Sequence, residues 1–364
     1  MNHSLTHRLR SHHSGILSFK FHPKTLLNHH RYQNLHTLPL QNCGSMADSD
    51  ESQPPTDSSQ NGLTSLDNYP VPLSPPLPAI SKQIELSRAM TASSKSSLFS
   101  LSTCHVIYED QWLIAINKPQ GIYCETILSS VPTLLKPPQG VHVSVPELHL
   151  ANRLDRDTSG VTIITKSHKV ASKFVKAFTD HEVRKTYIAL CSGVAPKWNR
   201  ITVRSGHGRS KFGAWRVYAA SDVGRKLPGG SVVRDMETSF EVLSVNGSGT
   251  FRDESEINDG GDVVVVEERA VREGSGGDAE SEIIVRAYPR SGRTHQIRLH
   301  CQYLGISIVG DVKYEGVCEW KEVAREGHAL HAESLSFKHP ITGDRISLHA
   351  PLPSWANKAL QLQH

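Results

Sequence analysis

The run Arg153-Leu154-Asp155-Arg156-Asp157-Thr158-Ser159-Gly160 is polar, charged and glycine-terminated, and it lies directly before the apolar residues 161–165. A loop entering a rigid strand is a place where a chain can hold a reactive carboxylate, so Asp155 is a candidate nucleophile or acid/base. Asp, Thr, Ser and Gly also make ordinary surface turns, and composition leaves both readings open. A second run, Pro289-Arg290-Ser291-Gly292-Arg293-Thr294-His295-Gln296-Ile297-Arg298-Leu299-His300, sets three arginines, two histidines and a glutamine around a glycine turn. That density of donors suits an anion or a polar ring, and a helix starting there would add backbone N–H groups and a favourable dipole. A solvated basic face is the plainer reading of the same residues.

The elements that must position these runs can be read from periodicity. Residues 106–117 hold two β-rich stretches around an acidic turn and read as a hairpin, closed by Lys118-Pro119-Gln120-Gly121. Residues 161–165 read as a strand. Ser167 can then cap a helix whose apolar side is Val170, Ala171, Phe174, Val175 and Phe178. Strands are expected at 186–191 and 283–288, and Ile297, Leu299, His300 and Leu304 have helical spacing over 294–304. Residues 246–281 are dominated by Gly, Ser, Asp and Glu, with only 263–266 able to form a strand, and read as a long mobile acidic insertion. Strands and helices interleave without a regular βαβ repeat.

A chain of 364 residues, 37% hydrophobic, has material for one catalytic body plus extensions, and residues 101–364 must supply nearly all of the core. Residues 1–45 contain no Asp or Glu, while Arg8, Arg10, Lys20, Lys24 and Arg31 stand among Ser, Leu and eight histidines. This is the composition of an organelle transit peptide, mitochondrial or chloroplast. Met46 opens an acidic stretch and would suit a second start giving a cytosolic form. Residues 46–100 read as a mostly disordered linker, because 47–82 are too rich in Ser, Pro and Asp to bury a core. No segment approaches the apolar length of a membrane span. The net charge of +4 is modest, but basic residues gather between 184 and 226 with Asp and Glu almost absent, a face that fits a phosphate backbone. Six scattered cysteines, with no Cys-x-x-Cys pair, argue for a reducing compartment and against a zinc site.

Five motifs in series resemble the RluA-type RNA pseudouridine synthases. Asn117-Lys118-Pro119-Gln120-Gly121 is similar to that family's opening Lys-Pro-x-Gly, and residues 153–160 to its catalytic Arg-Leu-Asp-x-x-Thr-Ser-Gly loop. Lys185-Thr186-Tyr187-Ile188-Ala189-Leu190 looks like its Lys-x-Tyr-x-Ala-Leu strand. Residues 292–300, with Leu304-Gly305, Ile308-Val309-Gly310-Asp311 and Tyr314, are similar to its third motif, and Leu330-His331-Ala332 with Leu335, Phe337, His339, Pro340, Thr342 and Gly343 to its last. The resemblance covers roughly residues 104–355.

It implies an α+β fold: a large, mostly antiparallel sheet with an active-site cleft across it and helices at the sides. It implies Asp155 as the nucleophile attacking a flipped-out uridine, Arg298 as the guanidinium that keeps it ionised, and Tyr187 as the platform on which the base stacks. Arg153, two residues before Asp155, should point the same way and hold the nucleotide or its phosphate. Thr158, Lys185, Arg293, His295 and Gln296 complete the expected RNA-binding set, with Thr158 and Asp157 more loop braces than reactants. The isomerisation consumes nothing, so neither cofactor nor metal is implied. The partner is an RNA, ribosomal or transfer, with a monomeric chain and no membrane.

Departures from the family pattern mark where other readings stay open. Asn152 stands where the family usually has histidine, from which altered RNA contact is expected. Residues 122–145 fit poorly, and the acidic insertion has no counterpart. His328 and His331 have His-x-x-His spacing, but no Glu or Cys completes a metal site nearby. Two rival functions remain: an idle RNA-binding protein that kept the scaffold, and a hydrolase using Asp155 and Asp157 as an acid/base pair.

Overall fold

The computed structural model describes residues 69–135, 146–249, 261–270 and 280–361. The expected leader, the linker up to residue 68 and most of the acidic insertion lie outside them.

β1 (Val106–Glu109) and β2 (Leu113–Lys118) form the predicted hairpin. Its acidic turn is made by Asp110, whose carboxylate accepts from the N–H groups of Trp112 (2.7 Å) and Leu113 (2.9 Å). After α2 (Cys124–Leu134) and β3 (His149–Leu150), the catalytic-type loop runs into β4 (Ser159–Thr165). Ser167 caps α3 (His168–Thr179) by accepting from the Val170 N–H, as the sequence predicts. Val170 and Phe174 are buried, but Val175 is 59% exposed, because α3 covers the sheet with a stripe too narrow to take it in.

β5 (Arg184–Gly193), β6 (Arg200–Arg209), β7 (Trp215–Tyr218), β8 (Arg234–Val245), β9 (Asp262–Val265) and β10 (Ser281–Pro289) follow. α4 (Gln296–Tyr303), β11 (Ile306–Ile308), the short pair β12 (Glu319–Trp320) and β13 (Val323–Ala324), β14 (Leu330–Lys338), β15 (Arg345–His349) and α5 (Ser354–Ala359) complete the chain. Among the described residues, thirteen strands make one sheet, with the path β1-β2-β4-β14-β5-β10-β8-β6-β7. The sheet is antiparallel except where β14 meets β4 and where β9 meets β6, which agrees with the predicted α+β class. β9 is the strand expected within the acidic insertion.

One large core cluster gathers residues of β5, β8 and β10 with Leu299 of α4 and Ala356 of α5, and a second lies under α3. The β4–β14 contact joins the hairpin end of the sheet to the rest. There Gly160 has φ +110°, and a Cβ on it would stand 2.1 Å from the Ala332 carbonyl oxygen, so only glycine permits this approach.

The linker expectation needs correction at its end. Residues 81–98 form α1 (Ser81–Leu98), docked on the body. Its inward side is Ser81, Glu85, Arg88 and Ala92, so the apolar periodicity that flags a packed helix is missing.

Candidate active site

Asp155 heads a turn in which the Thr158 N–H donates to its carbonyl at 3.1 Å. Arg156, Thr158 and Ser159 of the loop are each tied to a neighbouring segment. Lys118 is fully buried, and its three ammonium protons go to the carbonyls of Pro119 (3.1 Å), Ile122 (2.7 Å) and Arg156 (2.9 Å). Burial pushes its pKa down to about 8. The Gly121 N–H donates to the same Arg156 carbonyl, so the Lys-Pro-x-Gly segment works as a clamp on the loop. The Thr158 hydroxyl hydrogen-bonds His328 Nε2 (2.7 Å) and the Ser159 hydroxyl His331 Nδ1 (2.8 Å). The His-x-x-His spacing therefore serves two hydroxyls of the loop.

Asp157 turns away from the pocket. Its carboxylate takes a two-atom contact from Arg156, both bonds 2.6 Å, and the residue is 4% exposed. An acid/base pair of Asp155 and Asp157 is thereby excluded on geometry. Asn152 is also committed: its Nδ2 donates to the Val161 carbonyl (3.2 Å) and its Oδ1 accepts from the Ile163 N–H (2.7 Å). It braces the loop on β4, in the place where the family usually has histidine and an altered RNA contact is expected.

The centre of the site is Arg298 on α4. Its Nε and Nη2 bind the two oxygens of Asp311 at 2.6 and 2.8 Å, and its Nη1 binds Asp155 Oδ2 at 2.7 Å. The Tyr314 ring lies 5.0 Å from the guanidinium carbon. Arg298 and Asp311 are 5% and 2% exposed, whereas 29% of the Asp155 side chain is open. Burial acts to raise the pKa of Asp155, but the Arg298 guanidinium outweighs it and holds the carboxyl well below the usual carboxylate range. His295, at φ 57°, bonds the Tyr314 hydroxyl through Nδ1 (2.7 Å) and brings Nε2 to 3.8 Å from Asp155. Burial and Arg298 push that ring down to about pKa 3, so it is neutral near pH 7. One guanidinium thus faces two carboxylates, and a net negative charge stays on Asp155. Its Oδ1 has no hydrogen-bond partner among the described residues.

A pocket of about 510 Å³, counted to its open mouth, lies over this carboxylate. All nine residues expected from the sequence line it: Asp155, Arg298, Tyr187, Arg153, Thr158, Lys185, Arg293, His295 and Gln296. Ile297 and Leu330 add apolar wall. Tyr187 on β5 has Ala332 of β14 and Ala287 of β10 as its cross-strand neighbours, so the positions directly beside it on the sheet carry only small side chains. Its hydroxyl bonds no group among the described residues, and burial together with the Asp155 charge pushes the phenol pKa upward.

The nine differ in what they have free. Gln296 is 4% exposed, accepts from the Ser291 hydroxyl and the Arg293 N–H, and donates to the Glu237 carbonyl and Thr238 Oγ1. With its hydrogen bonds filled, it fastens the motif to β8. Thr158 is spent on His328. Arg293 reaches Asp235 (2.7 Å) and Arg153 reaches Glu125 (2.7 Å), both pairs partly exposed and so weakly held. Lys185 donates to the Ser291 carbonyl (2.9 Å), and burial, with Arg293 nearby, pushes its pKa down to about 8. The sequence assigned no role to Asp311 or Tyr314, although both stand in the third motif. A buried arginine needs a counter-charge, and Asp311 was the acid in that motif able to supply it.

A family model described as RNA pseudouridylate synthase matches residues 112–303. The chain is 63% identical over 290 residues to RNA pseudouridine synthase 1 of Arabidopsis thaliana, across 79% of this chain and 87% of that protein. It is 60% identical over 292 residues to the protein of the same name from Oryza sativa subsp. japonica, across 80% and 84%. Ribosomal large subunit pseudouridine synthase C of Rickettsia typhi is 28% identical over 263 residues, 71% of either chain.

Proposed function

Because the chain belongs to the RluA-type RNA pseudouridine synthases, isomerases that make pseudouridine in RNA, we propose that Asp155 is the nucleophile of that isomerisation. The observation behind this reading is the division of its carboxylate: Oδ2 is fixed on Arg298 Nη1, and Oδ1 is left unbonded at the pocket. A uridine inside a duplex is out of reach, so the base is first extruded, at a cost of a few kcal/mol. Tyr187 then stacks on the base. Asp155 attacks the ribose or the base ring, and the bond between the ribose and the ring nitrogen breaks. The uracil turns in the pocket and rejoins the ribose through carbon, releasing the carboxylate. The carbon loses its proton and the freed nitrogen gains one, so the atoms balance without a cofactor.

Arg153, Lys185 and Arg293 stand where the backbone of an extruded nucleotide would pass. The weak partners of Arg153 and Arg293 can be exchanged for phosphate. The basic residues between 184 and 226 extend this surface along β6 and β7, where His207 stacks on Trp215 (4.7 Å) and Arg209 lies over the same ring (5.1 Å). Ribosomal and transfer RNA both fit, and the name of the rickettsial relative makes large-subunit ribosomal RNA the first to assay. Mapping pseudouridines in RNA from cells lacking the protein, with re-expression of wild type or Asp155→Asn, tests the reading. A site restored equally by both would sink it.

We further propose that residues 1–45 direct the chain to a mitochondrion or plastid, a reading supported by their lack of acidic residues. Fluorescent fusions with and without these residues decide it, and a cytosolic signal from both would refute it.

A further inference from the structure

Helix α1 lies outside the segment that the family model matches, and none of its residues lines the pocket. It nevertheless touches the supports of the active site at two points. Ser81, Glu85, Arg88 and Ala92 share one face, with Ser81 and Ala92 only 4% and 3% exposed. Arg88 donates through Nη1 to the Gly310 carbonyl (2.7 Å) and through Nη2 to the Arg325 carbonyl (2.8 Å). Glu85 sets its carboxylate 3.5 Å from Arg156 Nη2 and 3.0 Å from Lys313 Nζ. Gly310 directly precedes Asp311, and Arg156 directly follows Asp155. The two residues of α1 therefore hold the chain beside each of the two carboxylates that share Arg298.

Two further features fit a role beyond anchoring. A helix that merely tethered the chain would bury its large apolar side chains, yet Leu86 and Met90 are 64% and 66% exposed. The contact is made largely by polar groups: the Arg88 guanidinium on two carbonyls, the Glu85 carboxylate between Arg156 and Lys313, and, further along, Lys95 paired with Glu326. At the Arg88 end, Gly310 has φ +84°, and a Cβ on it would stand 2.2 Å from the Gly327 carbonyl oxygen. Arg88 thus bonds the two strands of chain that make this close approach, and so fixes the turn presenting Asp311.

We propose that Glu85 and Arg88 are positioning residues for the isomerisation, acting through the Asp155 loop and the Asp311 turn to keep Arg298 Nη1 aligned on Asp155. The inference rests on Asp155 being the nucleophile. Displacements of about 1 Å at a reacting group cost roughly 100-fold in rate, so loss of a remote clamp is expected to reach the chemistry without touching substrate.

The test uses the full chain and an RNA substrate established for it, comparing single-turnover rate at saturating enzyme, RNA dissociation constant and melting temperature. Arg88→Ala is expected to lower the rate about tenfold with RNA affinity within about twofold, and Arg88→Lys to recover part of the loss. Glu85→Gln should lower the rate severalfold. Lys82→Ala, on the same helix and exposed, should match wild type. Folded Arg88→Ala and Glu85→Gln proteins working at the wild-type rate would overturn the proposal. So would parallel losses of rate and affinity, which would make α1 an RNA contact. If Arg88→Ala does not fold, Glu85→Gln decides alone. Asp155→Asn run alongside separates the cases: a dead Asp155→Asn with normal clamp variants refutes only the positioning role, and an active Asp155→Asn refutes the nucleophile.

Discussion

Arg298 binds Asp311 with two nitrogens and Asp155 with one. The fork to Asp311 at 2.6 and 2.8 Å fixes the plane of the guanidinium, and Nη1 then meets Asp155 at 2.7 Å. Asp311, nearly fully buried, supplies the counter-charge that allows an arginine here, and Asp155 receives an oriented donor while keeping one oxygen unbonded. The roles follow from this asymmetry.

Replacing Asp155 with asparagine removes the charge and the proposed nucleophile with little change of shape. Pseudouridine formation should fall on the order of 10⁴-fold or more, with RNA affinity nearly unchanged. Single-turnover assays alongside filter binding check this, and a rate near wild type would disprove the assignment.

Asp311→Asn should hurt both stability and rate. It breaks a buried ion pair, expected to cost about 3 kcal/mol, and frees the guanidinium to swing towards Asp155. Denaturant unfolding and single-turnover rates measure the two losses. A stable variant with a slow reaction would assign Asp311 wholly to orientation.

Acid should destabilise the fold from near pH 6.5 downward. His207, His300, His328 and His331 are buried, and burial pushes their pKa values down to about 4, 3, 4 and 4. With folded values below the unfolded 6.5, the unfolded chain binds more protons, so stability is lost as pH falls from about 6.5 towards 4. The expected loss is about 1 to 2 kcal/mol per ring at pH 5. Asp155 adds no pH dependence in this window, because the stability that comes from its lowered pKa is fully present above the ordinary carboxylate range and is lost only in more acid solution. Melting temperatures at pH 7.5, 6 and 5 should fall in that order, and a flat series would contradict the account.

Tyr187 should act through its ring. Tyr187→Phe keeps the face over the pocket and should retain most activity, whereas Tyr187→Ala should lose about 1 to 3 kcal/mol of RNA binding or transition-state stabilisation. Equal losses in both variants would shift the role to the hydroxyl.

By itself the sequence determined the candidate reactive groups and most of the elements. Asp155 before a strand, Tyr187 on the next central strand and Arg298 at a helix start were legible, because local periodicity and short motifs report local structure. The hairpin 106–117 and the Ser167 cap were legible for the same reason. Tertiary structure decided which polar groups are free. Gln296 and Thr158 had the composition of ligands for RNA, but distant partners, Glu237 and Thr238 for the one and His328 for the other, take up their hydrogen bonds. It also decided the support of Arg298 by Asp311 and the docking of α1, whose inward face is charged. Hydrophobic patterning cannot reveal such contacts, since a buried ion pair or a bonded carbonyl leaves no periodic trace in the chain. What the sequence supplied was the chemistry. Only the fold set which oxygen of Asp155 remains open to use it.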